Sequence, residues 1–232
     1  MRLTAADLIE RNAGVLFTFN ADNRITGVNQ WDGGQPPEFY LARSLSSVVY
    51  RVSADLAEDV VDELQLLAAT EAPLGEDLQQ LPRHHERYQE LLNKRDSDFW
   101  HGPVYGFPVD IIGSTNSVVA IDEDNRSLLD KFMPDWLPDV GQRSPFYAAV
   151  VDDHAVAVCA SARSTTLVCA AGVETAEDYR RQGHAANVVC AWAKRVRGSG
   201  REPIYSTSWS NLASQAVARH LDLRCAGAEY HL

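Results

Sequence analysis

Apolar and polar positions alternate in short runs, and the period changes several times along the chain. Over residues 4–14, Leu8 and Ile9 fall on one face behind Thr4, which predicts a short amphipathic helix capped by that threonine. "VLFTFNADNRITGV" alternates at period two and predicts a hairpin turning at Asp22-Asn23. "EFYLARS" and "SVVYRVS" read as two further strands. In "SADLAEDVVDELQLLAAT" the residues Leu56, Val60, Leu64 and Leu67 recur at helical spacing, with Ser53 as the expected cap. Another helix is expected over 83–94. "FWHGPVYGFP", Phe99 to Pro108, combines turn formers with aromatics and reads as a break.

Beyond that break the order is strand ("SVVAIDEDN"), a short helix stopped near Pro134, a hairpin around Asp152-Asp153, and the strand "TLVCAAGVET". Helix 183–197, strand 203–209, helix 211–221 and a last strand from Leu223 to about His231 complete it. Ala185, Val188, Val189, Trp192 and Val196 form the apolar stripe of helix 183–197. Lys194, Arg195 and Arg197 suit the negative end of its dipole, and Gly198 is the expected left-handed stop. The middle strands are apolar on both faces, as strands covered on both sides should be. The pattern predicts a mixed α/β fold with antiparallel hairpins first and crossover helices later. A boundary near residue 112 divides it into an N-terminal α/β accessory region, 1–112, and a second region, 113–232.

Composition narrows the class. The chain has 232 residues, 45% of them hydrophobic and 23% charged, which suits a globular protein with a substantial core. Its 32 Asp and Glu against 21 Lys and Arg give a net charge of −11. Such a surface repels nucleic acid and anionic lipid and attracts cationic substrates. The cysteines at 159, 169, 190 and 225 form no C-x-x-C pair, and the first three lie in apolar runs, so reduced, buried thiols are expected there rather than zinc ligands or disulfides. The opening "MRLTAADLIERNAG" holds no apolar core of signal-peptide length, and no apolar run approaches the ~20 residues of a membrane span. A soluble cytoplasmic protein without membrane or nucleic-acid partners is expected. His84 and His85 do not fit H-E-x-x-H, and no metal site is expected.

The chemistry concentrates in "VETAEDYRRQGHAANVV", residues 173–189. A strand runs into a helix that lacks a Ser, Thr, Asp or Asn cap and opens on Gly183 and Ala185. First-turn amides have no partner within a helix, so such a terminus suits a phosphate, with Arg180 and Arg181 adding charge and donors. Neither G-x-x-x-x-G-K-[ST] nor a strand-preceded G-x-G-x-x-G is present. What stands there, Arg180-x-x-Gly183-x-Ala185, resembles the acetyl-CoA-binding motif [QR]-x-x-G-x-[GA] of the GNAT superfamily of N-acetyltransferases. The preceding "GVET", the helix that follows, and "IYSTSWSNLASQAVARHLDL" are similar to that family's strand, helix, Asn-containing bulge and next helix. The resemblance covers about the C-terminal half.

It implies a GNAT-like domain over 113–232; the N-terminal lobe resembles no motif, and its α/β pattern suggests an accessory region or a degenerate relative of the same fold. The resemblance implies acetyl-CoA as donor, held by the backbone of Val173 and Thr175 through the pantetheine. The amides of Gln182, Gly183, His184 and Ala185 would hold the pyrophosphate beside Arg180 and Arg181. Asn211 and Ser214 would add contacts, and Asn211 equally suits an N-cap. The reaction implied is direct transfer of the acetyl group to the amine of a small-molecule acceptor. A primary amine with pKa near ~10 is about 0.1% neutral at pH 7, a handicap of roughly 4 kcal/mol, so a base is wanted. Glu174, the carboxylate inside an otherwise apolar strand, is the candidate base, and burial there would favour that role; a strand-end carboxylate bonded to nearby N–H groups or an arginine is the alternative. The family's usual tyrosine acid is replaced by Ala218, and its Gly-Phe pair by Asp222-Leu223. Tyr205, Ser206, Ser208 and His184 are conceivable substitutes, or the thiolate leaves unprotonated. Trp100, Tyr105 and Phe107 could line an acceptor pocket or serve as core, and Trp209 is the better acceptor-site candidate. Two rival readings stay open: a non-catalytic acyl-CoA-binding sensor, and a protein or peptide N-acyltransferase. A homodimer is compatible with each.

Overall fold

The computed structural model describes residues 3–95, 98–113 and 115–232. In chain order the elements are α1 (Ala5–Leu16), β1 (Phe17–Phe19), β2 (Ile25–Val28), β3 (Phe39–Arg43), β4 (Val48–Val52), α2 (Glu58–Ala68), α3 (His85–Leu91), β5 (Trp100–Gly106) and β6 (Val118–Ala120). Two 3-10 helices follow, Arg126–Leu129 and Pro134–Asp139. Then come β7 (Phe146–Val151), β8 (His154–Ser164), β9 (Val168–Thr175), a 3-10 turn Glu177–Tyr179, α4 (His184–Gly198), β10 (Glu202–Ser206), α5 (Leu212–His220) and β11 (Arg224–His231). The fold is a mixed α/β one.

The chain packs as two compact units that are not contiguous in sequence. The first takes Met1–Gly106 with Ser206–Gln215 and Cys225–Leu232; the second takes Phe107–Tyr205 with Ala216–Arg224. A single cut at residue 112 follows chain order, whereas these units follow packing. The difference arises because β11 finds its antiparallel partner in β3, from Ala228↔Arg43 to His231↔Tyr40.

In the first unit the strand order is β4-β3-β11-β5. Every residue of β3 is buried, so this strand is covered on both faces. One face, with Phe39, Leu41, Val52 and Tyr230, meets Val61 and Leu64 of α2 and Tyr88 of α3. α1 begins in a capping box, with Thr4 and Asp7 bonding each other's backbone, and buries Leu8, Ile9 and Ala13. Two expectations change here. α2 starts at Glu58 behind Ala57, with no side-chain cap, and the Ser53 hydroxyl instead accepts the Asp55 N–H at 3.2 Å. α3 is shorter than 83–94, because Asn93 turns left-handed at φ 51 and closes it.

The larger change is β5. "FWHGPVYGFP" reads as a break, yet Trp100–Gly106 is a strand. Its glycines mark close approach rather than a turn. A Cβ on Gly102 would collide with the Thr207 carbonyl oxygen, and one on Gly106 would lie 2.7 Å from Leu8 Cδ1. That approach lets Thr207 N–H and Trp209 N–H donate to the carbonyls of Pro103 and His101 at 3.3 and 3.1 Å.

The second unit runs β10-β9-β8-β7-β6. The β7–β8 hairpin turns through Asp152 and Asp153, both at positive φ (48 and 61), the primed turn that matches strand twist. β8 is the most buried strand of this unit. α4 covers one face and is pinned by Trp192 Nε1, which donates to Ser161 Oγ at 3.0 Å. The 3-10 helices cover the other face, where Leu129, Met133 and Trp136 pack on Phe146, Val158 and Ala160. Pro134 opens the second 3-10 helix rather than stopping a first, since its missing N–H is unused at a first helical position. Gly198 is the last residue of α4, and the left-handed glycine is Gly200, at φ 79. Cys159, Cys169 and Cys190 are buried free thiols, and burial pushes the Cys159 thiol well up. Among the described residues no helix is long and apolar enough to cross a membrane.

Candidate active site

The candidate site grows from the way β9 outlasts its parallel neighbour. β10 pairs with β9 only from Glu202↔Val168 to Ile204↔Ala170. On its other edge β9 stays paired with β8 as far as Thr175↔Ala157. Residues 171–175 are thus held in extended form from one side alone. Peptide groups alternate in direction along a strand. Glu202 N–H donates to the Leu167 carbonyl on the β10 side, and Ala176 N–H to the Val156 carbonyl on the β8 side, both at 2.9 Å. The odd-numbered residues Ala171, Val173 and Thr175 therefore turn their peptide groups away from β8. Among the described residues no strand meets Val173 on that side. The Thr175 carbonyl accepts Arg180 Nε at 3.4 Å.

The chain then makes one 3-10 turn and reaches α4 through two left-handed residues, Arg181 (φ 62) and Gly183 (φ 87). Gly183 is the N-cap, and no side chain caps the helix. The first-turn amides, among them His184 and Ala185, so have no carbonyl partner within the helix. A Cβ on Gly183 would meet nothing within 4 Å; it is the backbone conformation, not crowding, that asks for glycine here. Arg180, Arg181, Gln182 and Gly183 are exposed and Ala185 is half-buried. Gln182 Nε2 donates to the Asp178 carbonyl at 3.1 Å, which closes the loop on itself. The Tyr179 ring stands edge-on to His184, with centroids 6.3 Å apart. An uncapped helix start with two adjacent guanidinium groups can hold an anion through backbone donors and charge.

Glu174 departs from expectation. It is an exposed residue, not a buried one, because Val173 and Thr175 alternate with it to the other face. Its Oε2 accepts a 2.6 Å hydrogen bond from Trp136 Nε1. Among the described residues its partner is an N–H group, that of an indole, rather than an arginine. No local pattern ties Trp136 to Glu174 across 38 residues, and sequence reasoning passed over it.

Val173, Glu174, Thr175 and Arg180 to Ala185 fall together in the second unit. Asn211 and Ser214 fall in the first, where Asn211 Oδ1 accepts the Ser214 N–H at 3.0 Å, the N-cap bond of α5. Ala218, at the place of the absent tyrosine, is fully buried. Phe107 is core, tilted against Trp192, and Trp100 lies on His231 with centroids 4.8 Å apart. Trp209 stands edge-on to His101, and its indole N–H is buried without a hydrogen-bond partner among the described residues.

No protein-family model matches the chain, and no curated protein matches it. Solved structures do. A tandem GNAT protein from the clavulanic acid biosynthesis pathway superposes with a TM-score of 0.51 at 11% identity, over 85% of this chain and 83% of that one. A GCN5-related N-acetyltransferase-like protein from Streptococcus suis gives 0.48 at 15% identity, over 98% and 99%. A putative GNAT-family acetyltransferase from Novosphingobium aromaticivorans gives 0.49 at 18% identity, over 59% of this chain and 64% of that one. The fold of this chain is that of the GNAT acetyltransferases.

Proposed function

We propose that the protein transfers an acetyl group from acetyl-CoA to the amine of a small-molecule acceptor. The observation that carries this is the unpaired reach of β9, residues 171–175, running into the glycine-capped start of α4. An extended backbone edge suits a pantetheine amide chain, and the uncapped helix suits the pyrophosphate at its end. Val173 and Thr175 present the edge; Gln182, Gly183, His184 and Ala185 supply amides; Arg180 and Arg181 supply charge.

In this reading the amine nitrogen attacks the thioester carbonyl carbon and the C–S bond breaks. The acetyl group ends as an amide, CoA leaves through its sulfur, and the amine proton passes to Glu174. Backbone donors stabilise the tetrahedral oxyanion. With Ala218 in the usual acid position, CoA leaves as the thiolate, whose ordinary pKa is not far above neutral. A net charge of −11 favours a cationic acceptor in a cytoplasmic setting.

The test follows thiol release from acetyl-CoA with spermidine, tyramine, kanamycin and a lysine-containing peptide. Turnover on a small amine is the expected result. Acetyl-CoA binding without turnover on any of them points to a sensor, a reading that the buried Ala218 favours, and turnover on the peptide alone points to a peptide acyltransferase. A melting temperature unmoved by CoA would overturn the whole reading.

A further inference from the structure

Resting on the acetyltransferase reading, we propose that Trp136 is a positioning residue for Glu174, made possible by Gly172. Trp136 lies in the 3-10 helix Pro134–Asp139 and is 9% exposed. Three neighbours fix its ring. Phe146 meets it edge-on with centroids 5.7 Å apart, and the Arg143 guanidinium carbon lies 5.8 Å from its centre. Arg143 is itself held by Asp139, Nε to Oδ1 at 2.9 Å. The third is Gly172 of β9, which brings no side chain against the ring. Gly172 and Glu174 are two apart in the strand and share a face. A Cβ on Gly172 would come to 3.2 Å from Trp136 Cη2 and 3.1 Å from Ala162 Cβ. A side chain at 172 would press the indole aside by a few tenths of an ångström; with glycine there it lies undisturbed, its N–H on Glu174.

The bond from Nε1 to Oε2, at 2.6 Å, is a direct one. It fixes one oxygen of Glu174. The other, Oε1, accepts no hydrogen bond among the described residues, which leaves it to receive the amine proton. An exposed glutamate would otherwise sample several rotamers, and a base held in one geometry is the more effective. "AAGVET" thus carries two linked choices: a carboxylate to take the proton, and a glycine two residues earlier to admit the indole that aims it.

Trp136→Phe removes the N–H together with part of the ring packing, so a Glu174→Gln background is what separates the two effects. With the best amine of the panel, kcat should fall at least about tenfold while KM for acetyl-CoA stays unchanged. On a Glu174→Gln background the same change should cost nothing further. A purely structural tryptophan would lower both backgrounds alike. Independently of activity, the Trp136 indole N–H should resonate downfield in 15N–1H NMR spectra and move upfield in Glu174→Gln. The other four indoles should stay in place. Wild-type turnover with equal kcat in Trp136→Phe, or an indole resonance indifferent to Glu174→Gln, overturns this proposal alone. A wild-type protein that neither binds acetyl-CoA nor releases thiol overturns the acetyltransferase reading and this proposal with it.

Discussion

His101 shows at the scale of one residue how surroundings decide chemistry. It lies half-buried on β5, edge-on to Trp209 and Tyr230. Burial first, and then the nearby Arg43 charge, bring its pKa down from the usual 6.5 to about 4. The folded protein so refuses a proton that the unfolded chain accepts. Stability from this group is complete above about pH 6.5 and is lost as pH falls toward 4. His101→Gln should flatten that part of a melting-temperature profile, and equal slopes in both proteins would refute the assignment. Glu174 is the second residue at which surroundings matter. Glu174→Gln should lower kcat by about 100-fold and leave acetyl-CoA affinity unchanged, as measured by calorimetry and steady-state rates. The residue types at this site were readable from sequence: the arginines, Gly183 and the glutamate all stand in one stretch. The bond of Glu174 to Trp136 was not, because it depends on a 3-10 helix 38 residues away.

Among the elements, strands with clean alternation and helices with a full apolar stripe were legible, since their signals are local. The hairpins at Asp22-Asn23 and Asp152-Asp153 and helix α4 belong to this group. What misled was punctuation with more than one physical meaning. Glycine and proline in "HGPVYG" signal a turn when only the sequence neighbours count. In the folded chain Gly102 accommodates the Thr207 carbonyl inside a regular strand. Pro134 starts a helix as readily as it ends one. Ser53 can bond an amide two residues on instead of capping a helix five residues on. Gly102→Ala should therefore be severe, with about 3 kcal/mol or more of stability lost by denaturant titration, because backbone meets side chain there and neither can yield. Gly183→Ala should be milder. It meets open space, but φ of 87 costs an L residue roughly 1–2 kcal/mol, and relaxing it would rotate the first-turn amides. Weaker acetyl-CoA binding with a modest drop in melting temperature is the expected pair of results.

For the molecule as a whole, chain order and packing order differ, and local patterns do not report that. The C-terminal strand β11 carries a nearly continuous buried run and pairs with β3 near the N-terminus. Gly227 sits where a Cβ would strike the Arg43 carbonyl oxygen, so the two backbones are fitted closely. Glu229, 1% exposed, accepts the Asn12 amide of α1 at 2.6 Å, so the end of the chain also satisfies a buried carboxylate from its beginning. Residues 113–232 alone would retain the candidate site, residues 173–185, yet lose β3, α1 and Asn12. Strand β11 would then lose both its neighbours, β3 and β5, and buried Glu229 would lose the Asn12 amide, keeping only the 3.4 Å contact of His231 Nε2. The isolated 113–232 fragment should aggregate or stay unfolded. Adding 1–112 as a separate chain should restore cooperative melting, since the missing partner lies wholly within it. A fragment 113–232 that is monomeric and melts cooperatively by itself would show instead that the β3–β11 pairing is dispensable.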